Sequence, residues 1–262
     1  MNSAAPIGVF DSGIGGLTVF KEIATALPHE SMIYIADSGY APYGTRTKQY
    51  ITARSRLLTR FLLDQGCKLI VVACNTATGA SISTLRKEFP VPFIGVEPAI
   101  KPAILASRSG HVGVLATEQT FKGEHFKRTS ERFNGSGQVH VQAGHGLVEL
   151  IESGRSESEE ARILLERYLT PMILAGVDQL VLGCTHYPFL IPLINQMIPS
   201  GVTVIDPAPA VARQTRKVLE TSGGINEGTD KPEYTFFSTG DPDQLETMVN
   251  KVAGNYPVKP LP

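Results

Sequence analysis

Short apolar runs alternate with amphipathic helical patterns along most of the chain. The first run, Ile7 to Asp11, is followed by a glycine-rich turn and by apolar residues at helical spacing as far as Leu27. Longer helical patterns begin at Thr47 and extend from Glu157 to about Ala175. Further apolar runs, each long enough for a strand, lie at 32–36, 69–73 and 93–96. Strands connected by helices are typical of an α/β fold built on a parallel sheet.

The second half of the chain begins like the first half. The residues HVGVLAT, from His111, read like the opening IGVFDS, and aligning their glycines places Ala116 over Asp11. Thr117 then lies over Ser12. The pattern therefore predicts an internal duplication of two α/β halves, the second beginning near residue 97.

Two cysteines occupy matched settings at the ends of predicted strands. Cys74 follows LIVVA and precedes NTA, while Cys184 follows VLG and precedes THYP, 110 residues later. In an open α/β sheet ligands bind at the carboxyl ends of the strands, where the next helix begins. The helix dipole contributes only about 0.3–1 kcal/mol toward a thiolate. We therefore expect both thiols to face a ligand, with a nearby base or a substrate cation completing their activation.

Two kinds of chemistry use a pair of thiols in this way. One thiol can remove a proton from one face of a stereocentre while the other delivers a proton to the opposite face. Alternatively, the thiols can cycle through a disulfide, which needs Cα atoms about 5.5–6 Å apart. Asp11, at the end of a neighbouring strand, adds an acid to either arrangement. The residues by themselves do not choose between the two.

Metal and nucleotide sites match the pattern less well. Cys184-x-His186 together with Cys74 lacks the closely spaced cysteine pairs of structural zinc sites. The turn after the first strand has Gly13-x-Gly15, but the third glycine of the dinucleotide motif would fall at Thr18. Neither interpretation explains two cysteines at strand ends.

Composition narrows the class of ligand and the compartment. The 262 residues include 24 Lys and Arg against 25 Asp and Glu, and no basic run indicates nucleic acid or a lipid surface. Three cysteines, an odd number spread far apart, predict free thiols, and Cys67 is expected to be a packing residue. The sequence opens without a signal-peptide pattern, and its apolar runs are too short to cross a bilayer. We expect a cytoplasmic protein that acts on a small molecule.

Four motifs in order resemble those of glutamate racemases, and the resemblance covers almost the whole chain. They are DSGIGGLTV at 11–19, PYG at 42–44, ACNTA at 73–77 and GCTHYP at 183–188. The resemblance implies two pseudo-symmetric, flavodoxin-like open-sheet α/β domains, residues 1–97 with 208–262 and residues 98–207, with the active site between them. It also implies a homodimer, and a reaction that uses neither PLP nor a metal ion.

The resemblance further implies an isomerase that interconverts L- and D-glutamate and supplies D-glutamate for peptidoglycan, and so for the cell wall and cell shape. Cys74 and Cys184 would be the two acid/base thiols, acting on the D and L forms respectively. Asp11 would assist Cys74, while His186 and Glu152 would assist Cys184. The substrate-binding residues implied by the motifs and the repeat are Asp11, Ser12, Tyr43, Gly44, Asn75, Thr76, Thr117, Thr185 and His186.

Two alternatives fit the same residues. A racemase for aspartate or another amino acid would share both cysteines, although the motifs favour glutamate. A non-catalytic amino-acid-binding protein could also use this fold, although two intact thiols and Asp11 argue against it. Exchange of the substrate α-hydrogen with solvent distinguishes an enzyme from a binding protein.

We expect activation by a peptidoglycan precursor to be absent or weak. Some relatives carry an N-terminal extension that is used for activation by UDP-muramyl-alanine, and only six residues precede the first predicted strand here. Turnover measured with and without this precursor tests the expectation. A large stimulation would refute it.

Overall fold

The apolar runs form parallel strands, and the amphipathic segments between them form helices. We describe the protein from a computed structural model that covers residues 2–123, 126 and 137–261. In chain order the strands are β1 (Ile7–Asp11), β2 (Met32–Ala36), β3 (Leu69–Val72), β4 (Phe93–Gly95), β5 (His111–Ala116), β6 (Gln138–Ala143), β7 (Gln179–Gly183), β8 (Thr203–Ile205), β9 (Tyr234–Ser238) and β10 (Val258–Pro260).

The helices connect successive strands. They are α1 (Leu17–Ala26), α2 (Lys48–Asp64), α3 (Asn75–Glu88), α4 (Ile100–Ala106), α5 (Glu118–Lys122), α6 (Leu147–Glu152), α7 (Glu159–Leu174), α8 (Ile191–Met197), α9 (Ala208–Thr221) and α10 (Pro242–Val252). Short 3₁₀ turns lie at Ser38–Tyr40, Tyr43–Thr45 and Tyr187–Leu190. Within the described ranges, no helix is both long and apolar enough to cross a membrane.

The chain divides into two compact units, Met1–Val96 with Ala208–Pro262 and Glu97–Pro207. The first unit holds a six-stranded parallel sheet in the order β10-β9-β2-β1-β3-β4. Every residue of β1, β2 and β3 is buried, as expected for central strands of a parallel sheet that helices cover. The α/β prediction is confirmed for this unit.

The second unit repeats the central order of the first. Its four parallel strands follow the order β6-β5-β7-β8, which corresponds to β2-β1-β3-β4. In both units the first strand in sequence therefore lies between the second and the third. This shared order is what a duplicated α/β unit would have, and the α/β prediction holds here as well.

Aromatic packing fixes the last part of the chain to the first unit. The Phe20 ring of α1 lies 5.0 Å from that of Phe236 and 5.2 Å from that of Tyr234, centroid to centroid, and both partners are on β9. Phe236 is fully buried, and β9 pairs with β2 along its whole length. Burial of these rings stabilises the return of β9 to the sheet.

Helix α7 begins and ends within two residues of the prediction. The apolar pattern predicts a start at Glu157, but the helix starts at Glu159 because Ser158 is its N-cap. The Ser158 hydroxyl accepts a hydrogen bond from the backbone N–H of Ala161 at 3.2 Å. The cap, rather than the apolar periodicity, therefore sets this boundary.

A buried ion pair holds four segments of the first unit together. Lys68, just before β3, donates to the carboxylate of Glu30 and to the carbonyl of Ser3, and both charged side chains are at most 2% exposed. The other carboxylate oxygen of Glu30 accepts from the backbone N–H of Asn226 at 2.8 Å. The pair thus links the start of the chain, the segments before β2 and β3, and the loop before β9.

Replacing Lys68 by Met is expected to destabilise the protein by about 3–5 kcal/mol, because the Glu30 carboxylate would remain buried without its cation. The matched control is Arg56→Met, which breaks the Arg56–Glu88 pair, whose side chains are 37% and 38% exposed. That change is expected to leave the free energy of unfolding nearly unchanged, because water screens an exposed ion pair. Urea unfolding of both variants measures the difference, and equal losses would contradict the assignment.

Candidate active site

The ends of β1 and β3 bring Cys74 beside Ser12. Phe10 pairs with Val72 on the adjacent strand, so the residues that follow each strand continue side by side. The Cys74 thiol donates a hydrogen bond to the Ser12 hydroxyl, with 3.6 Å between sulfur and oxygen. Each of the two residues is 5% exposed. Within the first unit, the register of β1 and β3 therefore brings Cys74 and Ser12 into contact.

The carboxylate of Asp11 is fully buried at the carboxyl end of β1. It accepts hydrogen bonds from the backbone N–H groups of Ser12 and Gly16, and the distance from the Ser12 nitrogen is 2.8 Å. A Cβ atom on Gly16 would lie 2.6 Å from the Asp11 Cβ and 3.1 Å from the Ala73 Cβ, so this position requires glycine. The N–H groups of the glycine turn therefore serve a carboxylate of the protein itself.

Helix α3 begins directly at the first thiol. The Cys74 sulfur is its N-cap and accepts from the N–H of Ala77 at 3.4 Å. Asn75 and Thr76 form the first turn, and each is 4% exposed. The amide nitrogen and oxygen of the Asn75 side chain are buried and make no hydrogen bond within the described part of the chain. Such an unpaired amide costs about 1–3 kcal/mol, which makes Asn75 a candidate ligand-binding group.

Asp37 holds the PYG turn in place, a role that the sequence pattern did not reveal. Its buried carboxylate accepts hydrogen bonds from the Tyr43 hydroxyl, from two guanidinium nitrogens of Arg54 at 2.7 and 2.9 Å, and from the Thr239 hydroxyl at 2.9 Å. Burial and the charge of Asp37 raise the pKa of Tyr43 far above its ordinary value, so the phenol stays protonated. Gly44 follows Tyr43 in the same 3₁₀ turn. In the sequence, Asp37 stands directly after the apolar run at 32–36.

The second unit places Cys184 directly after β7. Ala116 pairs with Gly183, so Thr117 and Cys184 follow side by side at the ends of adjacent strands. A Cβ atom on Gly183 would lie 2.7 Å from the Ala116 Cβ. The Thr117 hydroxyl caps α5 by accepting from the N–H of Thr120 at 3.3 Å. Thr117 thus has the strand-end position of Ser12, while Ala116 stands where the first unit has Asp11.

The thiol of the second unit has a different partner, the imidazole of His186. His186 Nδ1 lies 3.8 Å from the Cys184 sulfur, and its Nε2 lies 2.5 Å from a carboxylate oxygen of Glu152. Burial alone lowers the pKa of His186, but hydrogen bonds and charge from Cys184 and Glu152 raise it well above its ordinary value. The raised pKa keeps His186 in its imidazolium form at neutral pH, with Nδ1 facing the Cys184 sulfur.

The turn after Cys184 is anchored to the segment that leads into α6. Tyr187 is fully buried, and its hydroxyl donates to the carbonyl of Gly144 at 3.2 Å. Helix α6 begins after Gly146, which has a φ of 81°, and ends at Glu152. This anchor positions Glu152 against His186. Thr185, which separates Cys184 from His186 in the sequence, is 3% exposed.

The remaining cysteine has the packing role expected from the sequence. Burial raises the pKa of Cys67 to about 12, so its thiol stays protonated. All three cysteines are free thiols, as predicted. Within the described residues, no group of three or more His, Cys, Asp or Glu is placed to hold a metal ion.

The sequence model of the Asp/Glu/hydantoin racemases matches residues 7–215, so the chain belongs to this racemase family. Its relatives include the glutamate racemase of Cupriavidus pinatubonensis, which is 49% identical over 245 residues, 93% of this chain and 90% of the relative. The recognition made from the four motifs is therefore confirmed.

Solved structures similar to this chain include glutamate racemases, as do its sequence relatives. A glutamate racemase isoform from Bacillus anthracis superposes with a TM-score of 0.91 at 30% identity, covering 100% of this chain and 98% of that one. The glutamate racemase of Escherichia coli, solved with L-glutamate and the activator UDP-MurNAc-Ala, gives a TM-score of 0.86 at 32% identity and covers 98% of each chain. Both are two-domain α/β racemases, which confirms the predicted fold class.

Replacing Glu152 by Gln is expected to lower the pKa of His186, because the variant loses the carboxylate charge that favours the imidazolium. The pKa of His186 in the folded protein is raised above the value of about 6.5 that it has in the unfolded chain. The His186–Glu152 pair therefore stabilises the folded protein fully at pH values below about 6.5. This contribution is lost as the pH rises through the folded pKa. The free energy of unfolding of the variant should therefore be lower than that of the wild type by about 1–3 kcal/mol at mildly acid pH. The difference should be smaller at alkaline pH.

Two measurements check this prediction. NMR titration of the His186 ring reports its pKa, and urea unfolding at several pH values reports the stability difference. The matched control is Glu160→Gln, which affects an exposed pair with Arg155 and should leave both quantities unchanged. An unaltered His186 titration in the Glu152 variant would contradict the assigned interaction.

Proposed function

We propose that the protein is a glutamate racemase, an isomerase that interconverts L- and D-glutamate with two thiols and without a cofactor. The observation that carries this proposal is the matched placement of one buried thiol in each unit, each with its own polar partner. Cys74 contacts Ser12, and Cys184 lies beside the imidazolium of His186. The two thiols act on opposite faces of the substrate Cα.

The proton balance of the reaction is closed by the two thiols. The thiolate of one cysteine takes the α-proton, and the thiol of the other delivers its own proton to the opposite face of the carbanion. The configuration inverts while the total number of protons is unchanged, and the two sulfurs exchange protonation states. By the motif match, Cys74 acts on the D form and Cys184 on the L form.

Each thiol has a neighbour that can adjust its protonation. On the Cys74 side, the Ser12 hydroxyl accepts from the thiol and lies 3.4 Å from the Asp11 carboxylate, to which it donates. This chain of hydrogen bonds draws the thiol proton toward Asp11. On the Cys184 side, the His186 imidazolium stabilises the thiolate and is itself held by Glu152.

The carbanion needs stabilisation, because a carbon acid beside a carboxylate is far weaker than a thiol. Fixed donors supply it where charge develops on the substrate carboxylate. The Asn75 amide makes no other hydrogen bond in the described structure and is free to serve this role. The hydroxyls of Thr76 and Thr185 lie at the same strand ends as the thiols, and Thr117 is proposed with them. The backbone of Tyr43 and Gly44, held in place through Asp37, completes the proposed binding groups.

The relatives support glutamate as the substrate. The Escherichia coli structure contains L-glutamate, and the match to the glutamate racemase of Cupriavidus pinatubonensis covers 90% of that relative. A role in supplying D-glutamate for peptidoglycan follows from this activity. A homodimer and the cytoplasm remain predictions, as do weak activation by the precursor and the absence of PLP and metal.

Circular dichroism of D-glutamate with purified protein and no added cofactor tests the proposal. The signal of the wild type is expected to decay to zero as the racemic mixture forms. Cys74→Ala and Cys184→Ala should each slow the decay by at least about 10²–10⁴-fold, the usual contribution of a general acid or base. Cys67→Ala is the matched control, since this thiol packs in the core, and it should retain turnover.

Solvent exchange separates the alternative functions. In D₂O, a two-thiol racemase incorporates deuterium at Cα of the product enantiomer. If the circular dichroism signal of D-glutamate is unchanged while that of D-aspartate decays, the proposed specificity for glutamate is wrong. The proposed two-thiol mechanism would then still hold for another amino acid. If no amino acid racemises or exchanges, the chain is a binding protein on this fold.

A further inference from the structure

Two histidines meet on the sheet of the second unit, away from the thiol. His111 Nδ1 and His140 Nε2 are 3.0 Å apart, and their rings are nearly parallel, with 23° between the planes. Gly113 pairs with His140 on the neighbouring strand, so His111 lies two residues from that pair and on the same face of the sheet. Both side chains are half-buried. The proposed reaction uses neither of them.

The pair lies at the opposite end of the sheet from the candidate active site. His111 is the first residue of β5, whereas Thr117 and Cys184 follow the carboxyl ends of β5 and β7. At about 3.3 Å per residue, β5 separates His111 from Thr117 by roughly 20 Å. A ligand held by the two imidazoles would therefore not contact the thiol.

The contact between the rings constrains their protons. Two neutral imidazoles can make an N–H···N hydrogen bond only when one nitrogen carries the proton and the other offers its lone pair. When that proton is released to solvent, a metal ion lying to one side of the line between the two nitrogens can accept a lone pair from each of them. Two imidazole nitrogens bound at about 2.0–2.1 Å in adjacent positions lie roughly 3 Å apart. The observed separation of 3.0 Å matches this spacing.

We propose that His111 and His140 form a binding site for a divalent transition-metal ion, of the class that prefers imidazole ligands: Zn²⁺, Cu²⁺ or Ni²⁺. Within the described residues, no third His, Cys, Asp or Glu completes a larger ligand group with these two imidazoles. Because one ligand is on β5 and the other on β6, the ion cross-links the edge strand to its neighbour. A ligand that binds only the folded state raises its stability.

The edge strand has a link to the candidate active site. Strand β6 continues through a short turn into α6, which ends at Glu152. A metal ion at His140 would secure the start of the segment that carries this glutamate. We expect it to stabilise the second unit without taking part in proton transfer.

Titration of the full chain with Ni²⁺ tests the proposal, since this ion is paramagnetic in water-rich coordination. The ring signals of His111 and His140 should broaden together at substoichiometric Ni²⁺, ahead of those of His29, His145 and His186. Calorimetry should show one site per chain, and the thermal midpoint should rise. Lowering the pH should weaken binding, because protons compete with the metal for imidazole nitrogen.

Single-residue variants decide the outcome. His140→Gln and His111→Gln should each abolish the joint broadening and the rise in thermal midpoint, while far-ultraviolet circular dichroism verifies that each variant is folded. Racemisation of glutamate by His140→Gln should equal that of the wild type. His145→Gln, which removes an exposed histidine from the same unit, is the matched control and should retain the site.

Two results would overturn the proposal. If His186 broadens first, the metal binds the Cys184 and His186 side chains instead. If Ni²⁺ binds His140→Gln as tightly as the wild type, the histidine pair is a packing contact. Since neither readout depends on racemase activity, failure of this proposal is separate from failure of the proposed function.

Discussion

Both candidate half-sites depend on the parallel pairing between a unit's central strand and the neighbouring strand that ends in a cysteine. In the first unit, Phe10 pairs with Val72, and in the second, Ala116 pairs with Gly183. Because the strands run parallel, the segments that follow the two paired strands leave the sheet at the same edge, where the helices also begin. In the first unit the Cys74 thiol therefore meets the Ser12 hydroxyl, and in the second unit Cys184 and Thr117 follow the ends of adjacent strands. Shifting either register by one residue would turn these side chains to the other face of the sheet.

The shared topology does not impose the same chemistry on the two thiols. The first unit buries a carboxylate at the end of its central strand, with its charge balanced by backbone N–H donors and linked to the thiol through Ser12. The second unit has Ala116 at the corresponding place and holds an imidazolium beside its thiol. An acceptor near one sulfur and a cation near the other provide different means of adjusting two equivalent groups. In each direction of the proposed reaction, one thiol begins as the base while the other begins as the acid.

Hydrogen bonds between distant segments hold the loops that carry the proposed binding groups. Asp37 joins the PYG turn to α2 and to the end of β9. Tyr187 joins the turn after Cys184 to the segment before α6. The hydrogen-bond partners of Asp37 lie between 6 and 202 positions away from it in the chain. The partner of Tyr187 lies 43 positions away. Buried polar contacts of this kind order a site because each group would cost free energy if left unpaired.

The pattern of residues predicted the alternation of strands and helices, the repeat, the cysteines after two strands and, through four motifs, the family. These features are local, since strand and helix periodicity and short motifs are written in consecutive residues. Only the folded protein shows that Asp37 is an anchor, that Lys68 pairs with Glu30, and that His111 meets His140. Those contacts join residues far apart in the chain, and their partners depend on strand order and register. Periodicity carries no information on either until the sheet has formed.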